Sequence, residues 1–145
     1  MRIRRFENKY RDDLIFMILE AKNALGRIPG LNEDLLDIQK NYFDKGGSFW
    51  IAIDENDRVI GSVGVSLLEN STECYIHRLY VKYNIKHQGI GTRLLNIAEE
   101  WAKNCGKTAT LVHLGKPKEQ WYESWQFYPK NSYVEYEDSR MRKDL

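Results

Sequence analysis

The chain has 145 residues, of which 42% are hydrophobic and 30% charged, enough to bury a core and too apolar for a disordered segment. Its 22 Lys and Arg nearly cancel its 21 Asp and Glu, so there is no bulk electrostatic case for nucleic acid or an anionic membrane surface as partner. No apolar run approaches the ~20 residues of a membrane span, the start at Met1 to Phe6 lacks a signal-peptide core, and Cys74 and Cys105 make neither a disulfide framework nor a metal cage. One cytoplasmic domain over residues 1–145 is the resulting expectation.

Arg2 to Phe6 alternates charged and apolar residues at the period of a strand centred on Ile3. Leu14, Ile15, Ile18, Leu19 and Leu25 then recur at helical spacing from Tyr10 until Gly26, Pro29 and Gly30 break the pattern. Asn32 is placed to cap a second helix with Glu33 and Asp34 in its first turn and Leu35, Leu36, Ile38, Tyr42 and Phe43 turned inward, ending at Gly46 and Gly47. Ser48 to Ile53, Val59 to Leu68 and Cys74 to Val81 read as three consecutive strands, an antiparallel meander with turns at 54–57 and 69–72. Leu94, Leu95, Ile97, Ala98, Trp101 and Ala102 form an amphipathic helix closed near Gly106. The apolar strand Thr108 to Leu114 follows, so the strands on either side of that helix are expected to be parallel. Pro117 starts a short helix through about Trp125, and two further strands fall near Tyr133 to Tyr136 and Ser139 to Arg142.

Chemistry concentrates where the third meander strand passes through Lys86-His87-Gln88-Gly89-Ile90-Gly91-Thr92 into the amphipathic helix. Glycines at a helix start let a ligand approach the free N–H groups there, and the helix dipole favours an anion such as a pyrophosphate. Lys86, Arg93 and the Thr92 hydroxyl supplement those amides. A Gly-x-Gly alone is equally compatible with a tight turn.

In its context, Lys86-His87-Gln88-Gly89-Ile90-Gly91 resembles the acetyl-CoA-binding motif of the GNAT superfamily of N-acetyltransferases, with Lys86 standing where Arg or Gln is usual. Tyr122-Glu123-Ser124-Trp125-Gln126-Phe127 is similar to that family's Tyr-Glu-x-x-Gly-Phe segment, Gln126 replacing the glycine, and Met141 to Leu145 resembles its last strand. Gly115 and Lys118 stand where many members have Asn and Ala. The order of elements agrees over nearly the whole chain. The resemblance implies an α/β fold with a mixed, mostly antiparallel sheet of about six or seven strands flanked by about four helices. It implies acetyl transfer from acetyl-CoA, a cosubstrate used without a metal, to a primary amine of a small molecule or peptide, and it allows a homodimer.

By the same resemblance, Leu79, Tyr80 and Val81 lie along the pantetheine arm and His87, Gln88, Gly89, Ile90, Gly91 and Thr92 under the pyrophosphate, with Lys86 beside them. Tyr122 matches the family's general acid, a phenol that protonates the leaving thiolate. The strand position that often carries a glutamate base holds Tyr75, which leaves Glu73 and His77, on the same strand face at period two, as candidate bases. Glu33, Asp34 and Asp37 are placed to attract a cationic amine, although helix-start electrostatics accounts equally for Glu33 and Asp34. Cys74 and His77 fall on opposite strand faces and make no metal site. A CoA-binding module without catalysis is the alternative function.

Overall fold

Strand-period patterning and β-rich composition assemble a seven-stranded sheet in a computed structural model that describes residues 1–85 and 88–145. The strands are β1 (Arg2–Arg5), β2 (Ser48–Ile53), β3 (Val59–Leu67), β4 (Glu73–Val81), β5 (Ala109–His113), β6 (Val134–Glu137) and β7 (Arg140–Asp144). Their spatial order is β1-β2-β3-β4-β5-β7-β6, and all neighbours are antiparallel except β4 and β5. The helices are α1 (Arg11–Ala24), α2 (Ile38–Asn41), α3 (Ile90–Asn104) and α4 (Tyr122–Lys130). This is the expected mixed, mostly antiparallel sheet, with α3 as the crossover between its two parallel strands. Among the described residues, no helix is long and apolar enough to cross a membrane.

The sheet is covered on both faces, which is why β2 is buried along its full length. Leu94, Leu95, Ala98 and Ala102 of α3 pack on one face against Ala52, Val63, Val65, Cys74 and Ile76. On the other face, Leu14, Met17 and Ile18 of α1 join Leu35, Ile38 and Tyr42 over Phe49, Ile51 and Ile53.

The second helix departs from expectation. Residues Glu33–Asp37 form a 3-10 turn, and only Ile38–Asn41 is α-helical. Asn32 makes no cap, because its side-chain oxygen accepts from the buried Lys22 ammonium at 2.5 Å. Asp37 caps α2 instead, accepting from the Lys40 amide at 3.0 Å, and this restart of the helix turns Leu36 outward. The tail helix also runs further than the sequence indicates, to Lys130, and β7 inserts between β5 and β6.

The Leu94 side chain is fully buried and seats directly on Gly61 of β3. Leu94→Ala removes buried methyl groups at the root of α3 and is expected to cost ~2–5 kcal/mol, read as a lower urea midpoint with unchanged slope.

Candidate active site

The apolar alternation of β4 slips by one residue. Cys74 and Ile76 face α3, but so do Leu79 and Val81, while His77 and Tyr80 turn to the α1–α2 face. The cause is a β-bulge: Gly64 pairs with His77 and Ser62 with Tyr80, leaving one extra residue in β4. Arg78 takes the irregular position in the left-handed region at φ 53°, where a non-glycine residue is strained and needs holding. The Ser62 hydroxyl donates to its carbonyl at 2.7 Å, and its guanidinium forms a two-pronged pair with Asp34, at 3.1 Å from Nε and 2.9 Å from Nη2. Tyr42 donates its hydroxyl to the same carboxylate at 2.6 Å.

Beyond the bulge the sheet opens. β4 and β5 pair only over Glu73–Tyr75 and Ala109–Leu111, after which Val112 and His113 stay with β7 while β4 runs on to Val81. The stretch from Ile76 to Val81 is a bare strand edge of roughly 20 Å facing a wedge. The Lys82 amide donates to the Ile60 carbonyl at 2.9 Å, so at strand period the main chain of Tyr80 also faces β3 and that of Leu79 and Val81 faces the wedge. Leu79 and Val81 thus present N–H and C=O groups to the wedge, as an added strand would need, whereas the Tyr80 ring packs on the α1–α2 face.

The start of α3 lies at the end of this edge. Gly89, at φ 78°, is the residue before the helix, and no side chain caps it. The first intrahelical bond is from the Arg93 amide to the Gly89 carbonyl at 3.1 Å, so the amides of Ile90, Gly91 and Thr92 have no acceptor within the helix. Gln88 and Gly89 are exposed beside them; Lys86 and His87 lie outside the described residues. Gly91 packs against both Val81 and the Phe127 ring, which brings the end of β4, the start of α3 and α4 together.

The far wall follows β5. Tyr122, 64% exposed, opens α4, directly after Trp121. The Trp121 indole lies on Gly115, where a Cβ would be 1.9 Å from its Cε2. On the near side, His77 stands on the bare stretch with its Nε2 2.7 Å from Ser66 Oγ and its ring against those of Tyr42 and Tyr75. Burial, assisted by the Arg78 charge, holds the His77 imidazolium below the ordinary histidine range, so the ring is neutral at pH 7. Glu73 sits at the opposite, closed end of the β4–β5 contact and pairs with Arg142 at 2.8 Å. Burial pushes the Asp34 carboxyl up, but the hydrogen bonds from Arg78 and Tyr42 outweigh it and hold the group below the usual carboxylate range. Among the described residues no cluster of His, Cys, Asp and Glu is suited to a metal ion.

The family model of the acetyltransferase (GNAT) family matches residues 15–133. The chain belongs to the GNAT family. N-acetyltransferase family 8 member 2 of Rattus norvegicus is 30% identical over 106 residues, which cover 70% of this chain and 45% of that protein, so the chain spans about half the length of this relative. A GNAT acetyltransferase from Staphylococcus aureus Mu50 superposes with a TM-score of 0.88 at 22% identity, covering 99% of this chain and 98% of the other. The PaiA N-acetyltransferase of Thermoplasma acidophilum, solved with coenzyme A, superposes with a TM-score of 0.77 at 21% identity and covers 99% and 98%. These two likenesses show the GNAT fold.

Sequence reasoning on this GNAT chain missed the bulge residue Arg78, although the change from 74 and 76 to 79 and 81 in the apolar alternation is its signal. It also singled out Asp34 as a lure for a cationic amine; in the structure that carboxylate takes the Arg78 guanidinium and the Tyr42 hydroxyl. A carboxyl whose folded pKa lies below its unfolded value adds stability above the unfolded value and loses it as pH falls through the folded one. Asp34→Asn is therefore expected to lower the urea midpoint at pH 7 and to shrink the further loss of stability between about pH 5 and 3, relative to the parent chain.

Proposed function

We propose that this chain transfers the acetyl group of acetyl-CoA to a primary amine by direct attack within a ternary complex. The observation that carries the reading is the bare edge of β4 running into the uncapped start of α3. Leu79 and Val81 suit the alternating amide groups of a pantetheine arm, and the free amides of Ile90, Gly91 and Thr92 suit its pyrophosphate, with Gln88 and Gly89 at the rim. The two groups of donors thus fit the two ends of one cosubstrate, and PaiA, which shares the fold, was solved in complex with coenzyme A.

Bound acetyl-CoA supplies an acyl carbon already activated as a thioester. The amine nitrogen forms a bond to that carbon, the carbon–sulfur bond breaks, and the proton lost by the amine is balanced by one gained by the thiolate. The Val81 or Leu79 amide polarises the carbonyl oxygen from the strand edge. Tyr122 donates the proton to sulfur from the exposed start of α4. His77 takes the amine proton, directly or through water: with Nε2–H donated to Ser66 Oγ, its Nδ1 lone pair is free, and its neutrality at pH 7 suits a base. Glu73, held by Arg142 at the closed end of the strand pair, is the weaker candidate.

Tyr122→Phe is expected to lower kcat about 10²-fold while acetyl-CoA affinity by calorimetry stays within a few fold. Unchanged turnover would remove Tyr122 from the reaction. The acid limb of kcat/KM should fall with an apparent pKa below that of free histidine, and His77→Gln should abolish that limb. Calorimetric titration with acetyl-CoA, followed by thiol release against pooled amines, tests the whole reading. Binding with amine-dependent release supports it, binding without release for any amine favours a cofactor sensor, and no binding overturns it.

A further inference from the structure

Between Tyr80 and Trp121 the described residues place a cation. Arg27, in the connection between α1 and α2, stacks its guanidinium on the Trp121 ring at 3.5 Å from the centroid and donates Nε–H to the Gln120 carbonyl at 3.3 Å. Its charge also acts on the Tyr80 hydroxyl of β4, and that hydroxyl in turn favours the ionised guanidinium. The side chain thus lies on the Trp121 side of the opening with its charge felt at Tyr80. The Glu123 charge favours its ionised form. Burial works against the charge, holding its pKa below the ordinary guanidinium value.

Nothing about this placement is loose. Trp121 is pinned on Gly115, and the connection carrying Arg27 is stapled by Lys22, whose ammonium donates to the Gly30 carbonyl at 2.8 Å and to Asn32. A planar guanidinium fixed by stacking and stripped of part of its water is preorganised for a carboxylate, which it can take through paired N–H groups. The nearby carboxylate that would suit a polycation, Asp34, is already spent on Arg78. Trp121 and Tyr122 are consecutive, so Arg27 stacks on the residue next to the proposed acid.

We infer that Arg27 selects the acceptor: an amine that also carries a carboxylate, such as an amino acid or the end of a short peptide, in place of a polyamine. This assignment rests on the acetyl-transfer reading for its use, and its binding test is independent of turnover. The probes are N-acetylglycine, N-acetylalanine and N-acetylleucine with their primary amides, titrated with and without CoA while the Trp121 indole N–H resonance is followed. The acids are expected to shift that resonance and to bind about ten- to hundred-fold more tightly than the amides. Arg27→Gln should erase the difference and Arg27→Lys restore only part of it, with thermal midpoints confirming that both variants fold. Acids and amides that bind alike, or acids that leave Trp121 unshifted at the highest soluble concentration, would overturn the assignment. Acid-selective binding without thiol release from free amino acids would instead count against acetyl transfer alone.

Discussion

The ion pair between Asp34 and Arg78 is the contact on which the site depends. A left-handed arginine in mid-strand is a costly conformation, and it persists here because its guanidinium is anchored to the α1–α2 connection and its carbonyl to Ser62. The bulge so held changes which residues face which side. It keeps Leu79 and Val81 packed against α3 while Tyr80 and His77 look toward the α1–α2 face. One half-buried carboxylate thereby links the helical connection, the strained strand and the orientation of the proposed base.

The opening between β4 and β5 has a simple origin. Parallel pairing lasts only for Glu73–Tyr75, because β5 is also held by β7 along its whole length and the two strands diverge under the bulge and the sheet twist. The two edges of the opening carry different chemistry. The β4 edge offers main-chain groups that read an extended amide chain, and the β5 side offers Trp121 and Tyr122 on a segment anchored at Gly115. Gly91, pressed between Val81 and Phe127, ties both sides to the helix start where an anion is best received. On the proposed reading, cosubstrate and acceptor approach one gap from two different elements.

Much of this architecture was legible from residue patterns. The apolar run of β2, the alternation in β3 and the amphipathic face of α3 reflect burial, and burial is what hydropathy encodes, so these elements match their expected spans closely. The Gly89 to Thr92 helix start was legible because the glycines stand where a strand pattern gives way to an amphipathic helix, a context that the Gly-x-Gly alone does not supply. The α1–α2 connection was not, because Asn32 and Asp37 are both capping residues and the choice between them was made by Lys22, a tertiary contact. The same holds for Asp34 and Arg27, whose partners lie far along the chain at Arg78 and Trp121. Long-range pairing of charges leaves no periodic trace.

Amide hydrogen exchange with and without acetyl-CoA, resolved by residue, tests most directly whether the bare edge of β4 and the start of α3 form one binding surface. Binding there predicts slowed exchange at Leu79, Val81, Gly91 and Thr92, with Tyr80, whose amide faces β3, little changed. Protection confined to other segments, or none at these amides despite saturation, would contradict it.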